Sequence, residues 1–137
     1  MSRQIRGLLL AAGEGRRLRP LTLETPKCLV KAGGEVVLET WLQKLEAISS
    51  EACIVNTSYL AEKVEKYIMK RKKSSMKIKL AREEMLLGTA GTLIGNQDFL
   101  KGGIIVMAHV DNATNIGLED LINTYKKRKK SINYKIK

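Results

Sequence analysis

Aromatic residues are scarce in this chain, at 4% of 137 residues. That excludes the aromatic stacking platforms on which single-stranded nucleic acids are held. There is one histidine, His109, and there are two cysteines, Cys28 and Cys53. Neither cysteine has the spacing of a zinc or redox motif, and the pair reads as free thiols rather than a disulfide. Cys28 adjoins Lys27, which leaves two readings: a thiol with a lowered pKa, or a small passive side chain. No apolar run approaches the length of a membrane span, and the first residues lack the apolar core of a signal peptide. The expectation is a cytoplasmic chain with no membrane partner. No internal repeat is present.

Positive charge is what the sequence has in excess, with a formal net charge of +11. Its distribution argues against a nucleic-acid partner. The last twelve residues, KKRKKSINYKIK, hold seven cations and no acid, and without them the charge is +4. A second basic stretch, residues 63–79, falls mostly on the exposed face and end of an expected helix. At 44% hydrophobic, the chain can bury one sizeable core, so a single globular unit is expected.

Residues 8–27, LLLAAGEGRRLRPLTLETPK, place an apolar strand, a glycine turn and a set of cations in succession. The run at 7–12 has no helical spacing and suits a buried parallel strand. Gly13 and Gly15 let the backbone turn tightly and approach a ligand. Arg16, Arg17 and Arg19 follow, then Lys27 after Pro20 and Pro26. Backbone N–H groups in such a turn favour an anion, and the cations can neutralise a triphosphate. The better-known phosphate motifs do not apply. A dinucleotide fingerprint needs a third glycine where Leu18 stands, and a P-loop needs Gly-Lys-Ser/Thr.

Further along, Leu38, Trp41, Leu42, Leu45 and Ile48 form one helical stripe. Residues 52–55 read as a strand, and Asn56, Thr57 and Ser58 as caps for a helix whose stripe is Leu60, Val64, Tyr67 and Ile68. Residues 77–80 and 103–108 read as strands, and 118–127 as a last helix. Alternation of strands and helices predicts a three-layer α/β/α sandwich around a mostly parallel sheet. Such sheets bind ligands at the carboxyl ends of their strands. That rule gathers three segments at one edge: the loop at 13–17, the run Leu87-Gly88-Thr89-Ala90-Gly91-Thr92, and the loop at 109–112. The second can expose backbone donors and let a flat ring approach, or can simply be a glycine turn capping a helix. Asp111, closing an apolar strand, is placed as a Mg²⁺ carboxylate would be. Asp111-Asn112 alone also suits a surface turn. His109 reads as a packed or hydrogen-bonding neighbour of the site.

The string at 10–18, followed by Pro20-Leu21-Thr22 and Pro26-Lys27, resembles the sugar-phosphate nucleotidyltransferases, whose pattern is L-A-A-G-x-G-x-R-L-x-P-L-T and then P-K. The L-G-T-A-G run at 87–91 and the His-Val-Asp-Asn at 109–112 also match. The resemblance extends from Arg6 to about Tyr125. It implies a Rossmann-like nucleotidyltransferase fold and the joining of a nucleoside triphosphate to a sugar 1-phosphate, with release of pyrophosphate. It implies nucleotide contacts at Leu10, Ala11, Ala12, Gly13, Gly15, Gly88, Thr89, Ala90 and Gly91. Arg17 and Lys27 would be the catalytic cations, and Asp111 the ligand of Mg²⁺. The family resembled includes mannose-1-phosphate guanylyltransferase-like and glucose-1-phosphate thymidylyltransferase-like proteins. Pro-Lys-Cys-Leu, Leu-Leu-Gly-Thr-Ala-Gly and the His-x-Asp-Asn ending together lean slightly towards the mannose-1-phosphate guanylyltransferase-like branch of surface-polysaccharide pathways.

Two departures qualify this. Residues 34–38 lack the family's proline, which should alter a turn. Family catalytic domains also continue further, adding a sugar-phosphate segment and a second metal-binding aspartate. The expectation is therefore the N-terminal part of such a domain at 1–125 and a basic, unstructured tail at 126–137. Turnover would be impaired, with a non-catalytic nucleotide-binding module as the alternative. An exposed sheet edge would favour self-association.

Overall fold

The computed structural model describes residues 4–72 and 74–128. Four parallel strands form the central sheet: β1 (Ile5–Leu10), β4 (Ala52–Thr57), β5 (Lys77–Arg82) and β6 (Ile104–His109), in the order β5-β4-β1-β6. A separate hairpin, β2 (Lys31–Ala32) and β3 (Glu35–Val36), lies between β1 and the first helix. Gly33 and Gly34 turn it with φ of 61° and 88°, the left-handed pair that a two-residue hairpin needs. The family's missing proline would stand at Val36, in β3 at the N-cap of the first α-helix.

Three single-turn 3-10 helices, at Arg16–Leu18, Leu21–Leu23 and Lys27–Leu29, and five α-helices complete the described chain: α1 (Val37–Ala47), α2 (Ala61–Lys70), α3 (Gly88–Gly95), α4 (Gln97–Leu100) and α5 (Leu118–Arg128). Strand periodicity divides the core into two layers. Leu9, Cys53, Val55, Ile104 and Val106 face one side of the sheet, where Leu38, Trp41, Leu42 and Leu45 of α1, Val64 of α2, and Leu118 and Ile122 of α5 cover them. Leu8 and Ile54 face the other side, against Leu93, Phe99 and Leu100 from α3 and α4. The three-layer expectation holds. A clamp joins α1 to the end of α2: Arg71 makes bonds of 2.7 to 3.0 Å to both Glu39 and Glu46, and its side chain is only 10% exposed. The reading of residues 63–79 as a solvated basic stretch therefore fails at Arg71.

Several boundaries differ from the sequence reading, two of them at the site. β1 ends at Leu10, not at Ala12. β4 runs through Asn56 and Thr57, because β1 pairs with it on one side and β5 on the other. Asn56 and Thr57 are thus not helix caps: α2 begins after Leu60, which has φ 51° and makes no side-chain capping bond. At the end of the described chain, α5 runs to Arg128, one residue past the expected helix at 118–127. The remainder of the expected tail lies outside the described residues. No described helix is long and apolar enough to cross a membrane.

Candidate active site

The strand order reverses beside β1: the chain moves out to β4 and β5, then returns to β6 on the other side. That switch point opens a crevice at the carboxyl ends of β1 and β6, where open α/β sheets bind ligands. A cavity of about 280 Å³ occupies it, lined among others by Leu10, Ala11, Ala12, Gly13, Lys27, Gly88, Thr89, His109 and Asp111. A neighbouring cavity of about 560 Å³ is lined by Gly15, Arg16, Arg17, Leu18, Lys27 and Asp111, among others. Lys27 and Asp111 are common to both. The structure thus gathers ten of the twelve sequence-predicted residues around two adjoining spaces. Ala90 and Gly91 line neither; Ala90 is exposed on α3, and a Cβ at Gly91 would stand 2.8 Å from that of Leu87. Gly91 is therefore explained by packing within its own turn.

The turn after β1 has two different glycines. Gly15 has φ 65°, and a Cβ there would lie 2.9 Å from Thr22 Cγ2 and 3.1 Å from Lys27 Cβ. Conformation and crowding both require glycine at that position. Thr22 is fully buried beneath the turn and donates its hydroxyl to the Gly15 carbonyl at 2.7 Å. At Gly13, by contrast, the position of a side chain is open space along the first cavity. The cations also separate. Glu14 binds Arg16 at 2.6 Å and lies 3.9 Å from Arg19, and the Arg16 bond holds its carboxyl below the usual range. Arg17 lines the second cavity and has no carboxylate partner among the described residues.

Asp111 follows β6 and is held by α1. The Trp41 indole N–H is 3.1 Å from the carbonyls of both Val110 and Asn112, the two residues flanking Asp111. Lys27 Nζ donates to Asp111 Oδ2 at 2.5 Å. That bond holds the Asp111 carboxyl below its ordinary pKa, so it is a fixed negative charge at neutral pH. One charged oxygen donor, half open to both cavities, fits Mg²⁺, which needs few protein ligands when phosphate oxygens and water supply the rest. No group of three or more His, Cys, Asp or Glu side chains among the described residues converges as a metal cage. His109 is exposed at the cavity wall.

Cys28 resolves as the passive alternative. It is 2% exposed, and burial pushes its thiol up to about 12. The sequence reading missed Asn56 and Glu83 as site residues. Both line the first cavity, and Asn56 Oδ1 accepts from the N–H groups of Ala11 and Ala12 at 2.6 and 3.2 Å. Those two amides are therefore satisfied within the protein. Anion-binding donors in the turn must come from Gly13 onward. The only signal in sequence was a polar residue ending an apolar strand, which looked like a cap.

These features define an α/β protein with an anion-suited turn and a carboxylate at its switch point. The chain belongs to the nucleotidyl transferase family, whose model matches residues 6–136. It is 33% identical over 108 residues to the N-acetylmuramate alpha-1-phosphate uridylyltransferase of Caulobacter vibrioides, a match covering 77% of this chain and 45% of that protein. It is 42% identical over 92 residues to the mannose-1-phosphate guanylyltransferase catalytic subunit beta of Drosophila melanogaster, covering 64% and 24% respectively. A Bacillus anthracis crystal structure, provisionally described as a glucose-1-phosphate thymidylyltransferase in complex with a sucrose, superposes with a TM-score of 0.82 at 21% identity. That match covers 91% of this chain and 51% of the other. The chain spans about half or less of the length of these relatives.

Proposed function

We propose that the site serves transfer of a nucleotidyl group from a nucleoside triphosphate to a sugar 1-phosphate. The observation that supports this best is the Lys27–Asp111 pair standing between two adjoining cavities, with Gly13 on one side and Gly15 and Arg17 on the other. In this reading the sugar 1-phosphate oxygen attacks the α-phosphorus in line, and pyrophosphate leaves. Gly13 and Gly15 lie along the phosphates. Arg17 and Lys27 offset the charge that builds on the α-phosphate and the leaving pyrophosphate. Gly88 and Thr89, with Ala90 and Gly91 behind them, border the nucleoside. Asp111 would hold Mg²⁺, which supplies charge neutralisation at the phosphates. No protein nucleophile or strong base is needed, because the attacking oxygen is already anionic. Catalysis is positioning plus electrostatics.

The relatives' names favour a hexose or related sugar 1-phosphate, and the Pro-Lys-Cys-Leu and Leu-Leu-Gly-Thr-Ala-Gly strings favour a guanylyltransferase-like branch in nucleotide-sugar supply for polysaccharides. A cytoplasmic place suits those substrates. Pyrophosphate release from a panel of nucleoside triphosphates and hexose 1-phosphates is the test. Release needing both substrates and Mg²⁺ supports the reading, and release with no dependence on the sugar phosphate contradicts it.

A second reading is binding without turnover. Its support is that, among the described residues, Asp111 is the single aspartate lining either cavity, where the family pattern uses two aspartates. Triphosphate binding without pyrophosphate release would select it. Residues 1–125 would act as the nucleotide-binding part in either case. The sheet edges bear on partners. β5 carries Lys77, Lys79 and Arg82, whereas β6 has no charged residue and leaves Ile105 and Met107 41% and 47% exposed. Charged residues guard an edge against pairing, so β6 is the edge suited to self-association. Sedimentation showing concentration-dependent dimers, abolished by Met107→Lys, would support that role.

A further inference from the structure

Two walls of the first cavity come from distant parts of the chain, the turn at residues 11–13 and the start of α3. One buried pair of side chains joins them. Asn56 Oδ1 accepts from Ala11 and Ala12, and Asn56 Nδ2 donates to Glu83 Oε1 at 3.1 Å. Glu83 Oε1 also accepts from the Thr92 hydroxyl at 2.5 Å, and Oε2 accepts from the Leu87 N–H at 3.2 Å. Asn56 is 5% exposed, Glu83 7% and Thr92 0%. Among the described residues no cation pairs with Glu83, so its lone pairs are satisfied by these neutral donors alone.

The arrangement has a direction. An amide presents one acceptor and two donors, and a carboxylate only accepts. Asn56 turns its nitrogen towards Glu83 Oε1, which leaves its oxygen for Ala11 and Ala12. Glu83 thereby sets the amide that sets the turn, without touching the turn itself. The same carboxylate fixes Leu87 and Thr92 on either side of Gly88 and Thr89.

We propose that Asn56 and Glu83 are positioning residues that couple the turn after β1 to the start of α3. Ordering either wall of the cavity orders the other. The inference rests on the nucleotide reading for its ligand: a nucleoside triphosphate presents its phosphates to the first wall and its nucleoside to the second, and the coupling makes the two contacts cooperative.

Amide hydrogen exchange on the free protein tests the coupling, and calorimetric titration with Mg²⁺ and a nucleoside triphosphate tests its consequence. Glu83→Gln keeps the shape and replaces one of the two accepting oxygens with an amide donor, which removes the acceptor pair that orients Asn56. Exchange at Ala11 and Ala12 should rise about tenfold, although Glu83 contacts neither, while Leu8 and Leu9 inside β1 stay within twofold of the parent. Asn56→Ala should raise exchange at Ala11, Ala12 and also Leu87. Each single variant should lose about tenfold in nucleotide affinity, and the double variant should lose little more, as members of one network do. Thr92→Val, which removes one donor to Glu83, gives the same signature in weaker form and replaces any variant that fails to fold. Unchanged exchange at Ala11 and Ala12 in Glu83→Gln overturns the coupling, and so does a double-variant loss equal to the product of the single losses. If the parent binds no triphosphate, the nucleotide reading fails, and the exchange data still decide whether the walls are coupled.

Discussion

Asp111→Asn separates a structural from a functional role for the carboxylate, because the two predict effects of very different size. Its side chain is 42% exposed and that of its partner Lys27 is 26% exposed. An ion pair this open to solvent contributes at most about 1 kcal/mol to folding, or roughly 3 to 5 °C in melting temperature for a chain of this size. Asparagine keeps the volume, and the Trp41 bonds to the carbonyls of Val110 and Asn112 do not involve the carboxylate, so the loop should hold its place. Losing the anionic ligand of a divalent cation removes a charge-assisted contact of about 1.5 to 3 kcal/mol, which is about a tenfold to hundredfold loss in affinity. Paired thermal melts and calorimetric titrations with Mg²⁺ and nucleoside triphosphate measure both. A small change in melting with a large loss of metal-dependent binding is the expected outcome. Parental affinity in the variant would reduce Asp111 to a turn residue that holds Lys27.

Arg71→Met should destabilise the fold by about 2 kcal/mol, less than the roughly 3 to 5 kcal/mol for breaking a fully buried pair, because water reaches both glutamates. Bonds from Arg71 are the chief cause that lowers the pKa of Glu39 and of Glu46. Their stabilisation is thus complete above the usual carboxylate value of 4.5 and is lost as pH falls through the depressed folded values. Melts of parent and variant should converge as pH falls through those depressed values, and a constant offset at every pH would show that packing alone is at work. Gly15→Ala should cost about 1 to 3 kcal/mol in denaturant unfolding, from its left-handed φ and the contact with Thr22; a neutral result would mean that the turn is not fixed. Burial holds the thiols of Cys28 and Cys53 at about 12. Thiol reagents at pH 8 should therefore modify them only on unfolding, and rapid modification of the native protein would show that the cavity wall opens.

Much of this site was legible because its parts are local. The strand, glycine turn and cations at residues 8–27 are contiguous, and the rule about carboxyl ends of parallel strands brought residues 87–92 and Asp111 to the same edge. The fold followed from periodicity in α1, which buries Leu38, Trp41, Leu42 and Leu45 as their spacing indicates, whereas β6, read only as an apolar strand, buries alternate residues and leaves Ile105 and Met107 exposed. What stayed hidden depends on pairing across the chain. Asn56 looked like a cap until its 45-residue reach to Ala11 was visible. Arg71 looked like one more surface cation in a basic run, yet it closes two helices together. Trp41 reads as core from its stripe, and nothing in that stripe reports that its N–H fixes the loop bearing Asp111. The four-residue α4 and the two-residue strands of the hairpin are too short to carry a period at all.

The central claim is that the turn at Gly13 to Arg17, Lys27 and Asp111 together hold a nucleoside triphosphate through a divalent cation. Titration of the intact chain with a nucleoside triphosphate, with and without Mg²⁺, tests it most directly. The account predicts saturable one-to-one binding that Mg²⁺ tightens at least tenfold, with Arg17→Ala and Lys27→Ala each weakening it by about 1 to 3 kcal/mol. Binding of equal strength with and without the metal, or affinity unchanged in both single variants, would contradict it.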